Sequence, residues 1–294
     1  MKRFFKFFLV AAVMLSAVAC TPKSKGAYKH VVILGIDGGG AWYSEAVSPN
    51  IRSIFFDGAC TYTAKTSFPT ISAQCWGSML LGVPADVHGL TNTYISNNAY
   101  GVNSPYPSIF RVAKEADPKA KLASFCNWNP INVGIVESNL DVVEGTGNDP
   151  DVAKQVCDYI AENDPTVLFV QFDSVDGGGH GNGYGTPGHL ATLTAVDALV
   201  KDIYDALEKK GILEDTLLIV CSDHGGTPQG GHGGDSYGER MVYMGVHGKT
   251  VNKHSQIFDA EVLDIPMIAA YALGLEAPAT WTGKIPQGIF PDVD

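Results

Sequence analysis

Asp223 and His224 follow, after Ser222, an apolar run from Leu217 to Cys221, and His232 stands eight residues beyond His224 across a glycine-rich stretch. A strand that ends in a carboxylate and an imidazole, followed by a loop that can fold a second imidazole back, suits a divalent metal ion. The mixture of carboxylate and neutral imidazole fits zinc or manganese. The same device occurs twice more. The run His30 to Ile36 delivers Asp37 ahead of three glycines, and Thr166 to Phe172 delivers Asp173, Asp176 and His180. Three strand ends carrying acids, with histidines at ligand spacing behind them, predict a two-ion site. A fourth stretch, Thr63 to Gly89, is rich in hydroxyls and passes through Pro69 into a helix expected from about Ala73 to Leu81. A Ser or Thr at such a helix start either caps it or serves as a nucleophile whose anionic product the free amides stabilise.

These residues need a scaffold that brings strand ends together. Apolar runs at 30–36, 121–126, 166–172, 217–221 and 242–246 read as strands, the longest of them buried on both faces. Helices are expected at 48–56, 107–116, 151–162, 189–210 and 260–273. In the longest of these, Leu193, Val196, Val200, Ile203 and Leu207 repeat at helical spacing up to Gly211. Strands alternating with helices predict an α/β fold with a mainly parallel central sheet and helices on both faces. No repeat or low-complexity tract divides 28–294, which is read as one catalytic domain.

The N-terminus has the form of an export signal: Lys2, Arg3 and Lys6, an apolar run from Phe7 to Val18, then small residues up to Cys20. Ala17 to Cys20 resemble a bacterial lipoprotein signal, with Ala where Leu is usual three residues before the cysteine. The expectation is cleavage of 1–19, lipidation of Cys20, a short polar tether over 20–27, and residence in the bacterial cell envelope as a membrane-anchored lipoprotein. Loss of Lys2, Arg3 and Lys6 takes the formal charge from −11 to −14, which argues against nucleic acid as a partner. Cys60, Cys75, Cys126, Cys157 and Cys221 are scattered without a CxxC pair, as buried free thiols would be.

The pieces GIDGGG (35–40), PTIS (69–72), GVPADVHG (82–89), DGGGH (176–180), SDHGG (222–226) and GHGG (231–234) occur in an order that resembles the alkaline phosphatase superfamily. Within it they are most similar to the type I phosphodiesterase and nucleotide pyrophosphatase family, and DIPMIAAYALGLEAP at 264–278 extends the likeness to the tail. The resemblance implies an alkaline phosphatase-like α/β/α sandwich and two divalent ions, zinc by family expectation. One ion would be held by Asp37, Asp223 and His224, the other by Asp176, His180 and His232. Asp173, the competing acid, would then sit behind a ligating histidine and orient it. The family nucleophile is a Thr or Ser ten residues before the glycine of the next turn. Counted back from Gly82, this is Ser72, which would also touch metal, with Thr70 and Ser67 structural. Asn92 matches an asparagine that donates to a phosphate oxygen in the phosphodiesterase branch, and His88 reads as a support of its loop.

Phosphodiester or pyrophosphate hydrolysis of a small phosphate ester through a phosphoserine is the leading reading. A sulfatase would need Pro and Arg after its nucleophile, whereas Ala73, Gln74, Cys75 and Trp76 follow Ser72. A phosphomonoesterase is the nearest rival, although Arg52, Arg111 and Arg240 stand beside no matched motif. A surface lipoprotein that binds without catalysis is the alternative from another class. Tyr94, Tyr100, Tyr106, Trp128 and Tyr184 lie in loops where they would stack on a base or aryl group, or fill small cores. His30, His189, His247 and His254 are expected at the surface or as caps.

Overall fold

The computed structural model describes residues 23–293, so the export signal and Cys20 lie outside the described residues. In chain order the strands are β1 (His30–Ile36), β2 (Ala59–Lys65), β3 (Leu122–Cys126), β4 (Val143–Thr146), β5 (Val167–Phe172), β6 (Thr216–Ser222), β7 (Met241–His247) and β8 (Ser255–Gln256). They form a single sheet ordered β4-β3-β5-β1-β6-β7-β2-β8. Only β7 runs against its neighbours, β6 and β2; every other pairing is parallel.

The helices are α1 (Pro49–Phe56), α2 (Ser72–Leu81), α3 (Ala85–His88), α4 (Asn92–Asn97), α5 (Ile109–Ala116), α6 (Pro130–Gly134), α7 (Asp149–Glu162), α8 (Ser174–Asn182), α9 (Pro187–Lys210), α10 (Tyr237–Arg240) and α11 (Ile265–Leu273). Side chains alternate across the strands, and each face of the sheet gets its own core. Val31, Ile33, Phe169, Leu217 and Ile219 pack with Trp76, Phe110 and Ile268 from α2, α5 and α11. Val32, Leu34, Leu168, Val170, Leu218 and Val220 pack with Ile51, Val156, Leu193 and Val200 from α1, α7 and α9. The result is the α/β/α sandwich that the sequence predicts.

Several elements depart from the sequence reading. β2, in which Thr61 and Thr63 interrupt any apolar run, and the short strands β4 and β8, half covered at the two edges of the sheet, carry no long apolar signal. α8 runs through DGGGH, a stretch poor in helix formers. A Cβ on Gly179 would collide with the Tyr184 ring and one on Gly178 with Thr192, so the glycines serve close packing against that ring and α9. The last helix starts at Ile265 instead of 260, behind a 3₁₀ turn at Val262–Asp264. Residues 24–27, assigned to the tether, are docked on the domain: Ser24 is buried with its N–H on Asp292, and Gly26 N–H bonds Tyr271 O. Among the described residues no helix is long and apolar enough to cross a membrane.

Candidate active site

Register is what assembles the site. Ile36 lies opposite both Phe172 and Ser222, so the next residues, Asp37, Asp173 and Asp223, leave β1, β5 and β6 at one level. Each of the two central acids has one oxygen tied down. Asp37 Oδ2 accepts from Trp76 Nε1 at 2.9 Å and Gln171 Nε2 at 3.0 Å. Asp223 Oδ1 accepts from the N–H groups of Gly38 at 3.1 Å and His224 at 2.8 Å. Their other oxygens, Asp37 Oδ1 and Asp223 Oδ2, are buried without a hydrogen-bond partner, and each lies 3.4 Å from His224 Nε2. His224 Nδ1 meets Gly225 O at 2.9 Å, which requires the proton on Nδ1 and turns the Nε2 lone pair inward. Ser72 Oγ is 3.3 Å from that same nitrogen.

A second group lies beside the first. Asp176 and His180 are four residues apart on α8, with Asp176 Oδ2 3.2 Å from His180 Nε2. His232 comes in from the loop after β6, its Nε2 3.3 Å from that of His180. Both rings repeat the pattern of His224: His180 Nδ1 meets Gly230 O at 2.8 Å and His232 Nδ1 meets Thr70 O at 2.7 Å. Stacking of His224 on His232, at 4.0 Å between centroids, sets the groups side by side. Within Asp37–Asp223–His224, and within Asp176–His180–His232, one potential ligand atom from each residue lies within 4.8 Å of the others.

This donor set fits divalent metal ions. Three carboxylates converge, and the ion pairs that reach them within the described residues come from histidines alone. Burial, then the Asp223 and Asp176 carboxylates, pushes Asp37 well above the usual carboxylate range; burial and then Asp176 do the same to Asp223. Burial, with His232 nearby, lowers His224 to about 4, so it stays a neutral ligand. Buried unpaired carboxylate oxygens facing imidazole lone pairs are costly by themselves and are satisfied by a cation.

Around this centre, α2 begins at Ser72, and α4 reaches its first turn: Asn92 Oδ1 accepts from Ala73 N–H at 2.9 Å. Thr70 is occupied with the Gly233–Gly234 backbone. His88 is held by Leu90 N–H, Ser78 and Gln74 O, in agreement with a structural role. Asp173 bonds Gln171 Nε2, which also holds Asp37, so it acts behind a carboxylate instead of behind a histidine. Burial pushes the Cys75 thiol up, and it stays free, as do the other described cysteines.

Of the two readings of the loop aromatics, the small-core one holds for Tyr100 and Tyr184, which are buried with their hydroxyls bonded inside: Tyr100 to Ser104 and Tyr106 O, Tyr184 to Asp176. Tyr94 is 45% exposed, and Tyr106 and Trp128 are half-buried. The surface expectation for His30 and His189 needs correction: both are buried, bonded to Pro165 O and Gly38 O. Sequence reasoning missed Trp76, Gln171 and Tyr184 as partners of the acids. For Trp76 a signal existed, since it lies one helical turn after Ser72.

The model of the family described as type I phosphodiesterase / nucleotide pyrophosphatase matches residues 31–234. The chain is 26% identical over 196 residues to GPI ethanolamine phosphate transferase 3 of Schizosaccharomyces pombe, a match that covers 63% of this chain and 21% of that protein. It thus spans a minor part of the curated relative's length. Among solved structures, it resembles murine ectonucleotide pyrophosphatase / phosphodiesterase 5, inactive and in complex with AMP, with TM-score 0.71 at 14% identity over 87% of this chain and 97% of that one. It also resembles a lipoteichoic acid synthase from Listeria monocytogenes, with TM-score 0.67 at 12% identity over 92% and 79%. Likeness at such identity shows a shared fold.

Proposed function

As the chain belongs to the type I phosphodiesterase / nucleotide pyrophosphatase family, and so to the hydrolases of phosphoric esters, we propose that it cleaves phosphodiester or pyrophosphate bonds in two steps with Ser72 as nucleophile. The observation that carries this reading is Ser72 Oγ itself, at a helix start, 3.3 Å from His224 Nε2 and beside two unpartnered carboxylate oxygens. In the first step Ser72 Oγ bonds to phosphorus as the bond to the leaving oxygen breaks. In the second, water attacks the phosphoserine and the serine hydroxyl is restored. Asp37, Asp223 and His224 would hold one divalent ion, and Asp176, His180 and His232 the other. Zinc or manganese there supplies Lewis acidity that favours the alkoxide and stabilises the leaving oxygen.

The chain's own residues do the positioning. Asn92 has its Oδ1 committed to Ala73, which leaves Nδ2–H free to donate to a non-bridging phosphate oxygen. Arg52 is spent on the carbonyls of Tyr43, Ser44 and Ala46, Arg111 on Val102 and Ser104, and Arg240 on Asp235. With no arginine among the described residues delivered to the extra charge of a terminal phosphate, a diester is the better substrate.

Hydrolysis of bis-nitrophenyl phosphate, nitrophenyl phosphate and nitrophenyl sulfate by zinc-loaded protein tests this. A diester preference that falls about 10³-fold or more in Ser72→Ala is expected. Full activity of that variant would reject Ser72, and a monoester preference would reject the diester assignment. The likeness to an ethanolamine phosphate transferase favours a second reading, discharge of the phosphoserine to an alcohol instead of water. Mass spectrometry of products formed with ethanolamine-type alcohols present separates the two, since only transfer yields a new ester. Export and lipidation at Cys20 are part of the same proposal. The sequence around Cys20 supports it, and Cys20→Ala is expected to move the protein from the membrane to the soluble fraction.

A further inference from the structure

Ser72 and Trp76 lie four residues apart on α2, so their side chains stand one above the other on the same helix face. The lower one carries the hydroxyl near His224. The upper one is a fully buried indole whose Nε1–H donates to Asp37 Oδ2 at 2.9 Å, while Gln171 Nε2 takes the same oxygen at 3.0 Å. That oxygen is saturated, and Oδ1 is left to face His224 Nε2. Room for the ring is made in β1: a Cβ on Gly35 would collide with the indole, and Phe169 closes the slot edge-on, its ring centroid 5.6 Å away. The other group has a counterpart. Tyr184 donates its hydroxyl to Asp176 Oδ1, leaving Oδ2 beside His180.

We propose that Trp76 is a positioning residue that locks Asp37 to the helix carrying Ser72, so that ion binding at Asp37–Asp223–His224 and placement of the nucleophile are set together. Tyr184 positions Asp176 in the same way for the second group. An indole N–H can only donate, so it fixes which carboxylate oxygen is held and which is offered. Groups behind a ligand that hold its orientation typically change metal affinity about 10–100-fold when removed. This inference rests on the two-ion reading above.

The test is zinc affinity measured by competition with a chromogenic chelator, on the full chain, for the wild type, Trp76→Phe and Tyr184→Phe, with Asp37→Asn marking the class that belongs to the first group. The wild type is expected to show two sites. Trp76→Phe should weaken the class lost in Asp37→Asn about 10–100-fold, leave the other unchanged, and diminish the zinc-dependent change in tryptophan fluorescence. Tyr184→Phe should weaken the opposite class. Replacing the Trp76 indole by its benzothiophene isostere keeps the shape without the N–H, and the same one-class loss there separates the hydrogen bond from packing. Two unchanged affinities in Trp76→Phe, or both lowered alike, would overturn the role of Trp76 while the two-ion reading stands. A wild type that takes up no zinc would overturn both.

Discussion

At Asn92 a single amide would have two jobs under the proposed function: Oδ1 holds the start of α2 at Ala73, and Nδ2 would donate to the phosphate. Asn92→Ala is expected to lower kcat/KM about 10²-fold, in the range for loss of one transition-state donor, with zinc content unchanged; an activity within twofold of wild type would deny the donor role. His88 carries a pH signature instead of a catalytic one. Its ring sits under Gly77 and is bonded on both nitrogens, and burial lowers it from 6.5 to about 4. The folded state therefore binds fewer protons than the unfolded state between those values. Its contribution to stability is complete above about pH 6.5 and is lost as pH falls toward 4. Urea unfolding at pH 5 and 7.5 should show a smaller loss on acidification in His88→Gln than in the wild type. Equal losses would remove His88 from the account.

At the scale of elements, the site depends on one helix standing flush on one strand. Gly35 has the only side chain small enough to let the Trp76 ring cross β1. Gly35→Ala forces the ring aside, an overpacking expected to cost about 1–3 kcal/mol, and it drags Asp37 with it. Denaturant unfolding should record the stability loss together with reduced zinc uptake. Stability lost without any change in zinc affinity would mean that α2 and Asp37 are not coupled through the ring. α8 makes a related point, since its glycines oppose helix formation locally and its packing against Tyr184 and α9 overrides that preference.

For the molecule as a whole, the three converging acids put a cluster of mutually repelling carboxylates at the carboxyl edge of the sheet. A ligand that binds only the folded state raises its stability by mass action. Chelation at pH 8 is expected to lower Tm by on the order of 10 °C, and added zinc to restore it. Coincident melting curves with and without chelator would show that the centre holds no ion that matters to the fold.

The sandwich and the three acid-bearing strand ends were legible in the chain itself. Strands buried on both faces are mostly apolar, and the break in that run marks where a carboxylate can reach an ion, as after Ile36 and after Cys221. The order of the motifs carried the family and the list of candidate ligands. Tertiary structure alone decided the rest. Only strand register puts Asp37, Asp173 and Asp223 at one level, and the choice of Asp176 over Asp173 that the motif suggests gets its physical reason from the fold, where Asp176 is aimed at His180 and Asp173 is held by Gln171. Whether a loop tyrosine such as Tyr184 stacks on a ligand or holds an acid depends on what surrounds it after folding. Gln171 lies more than a hundred residues from Asp37, and no local pattern in the sequence encodes that pairing.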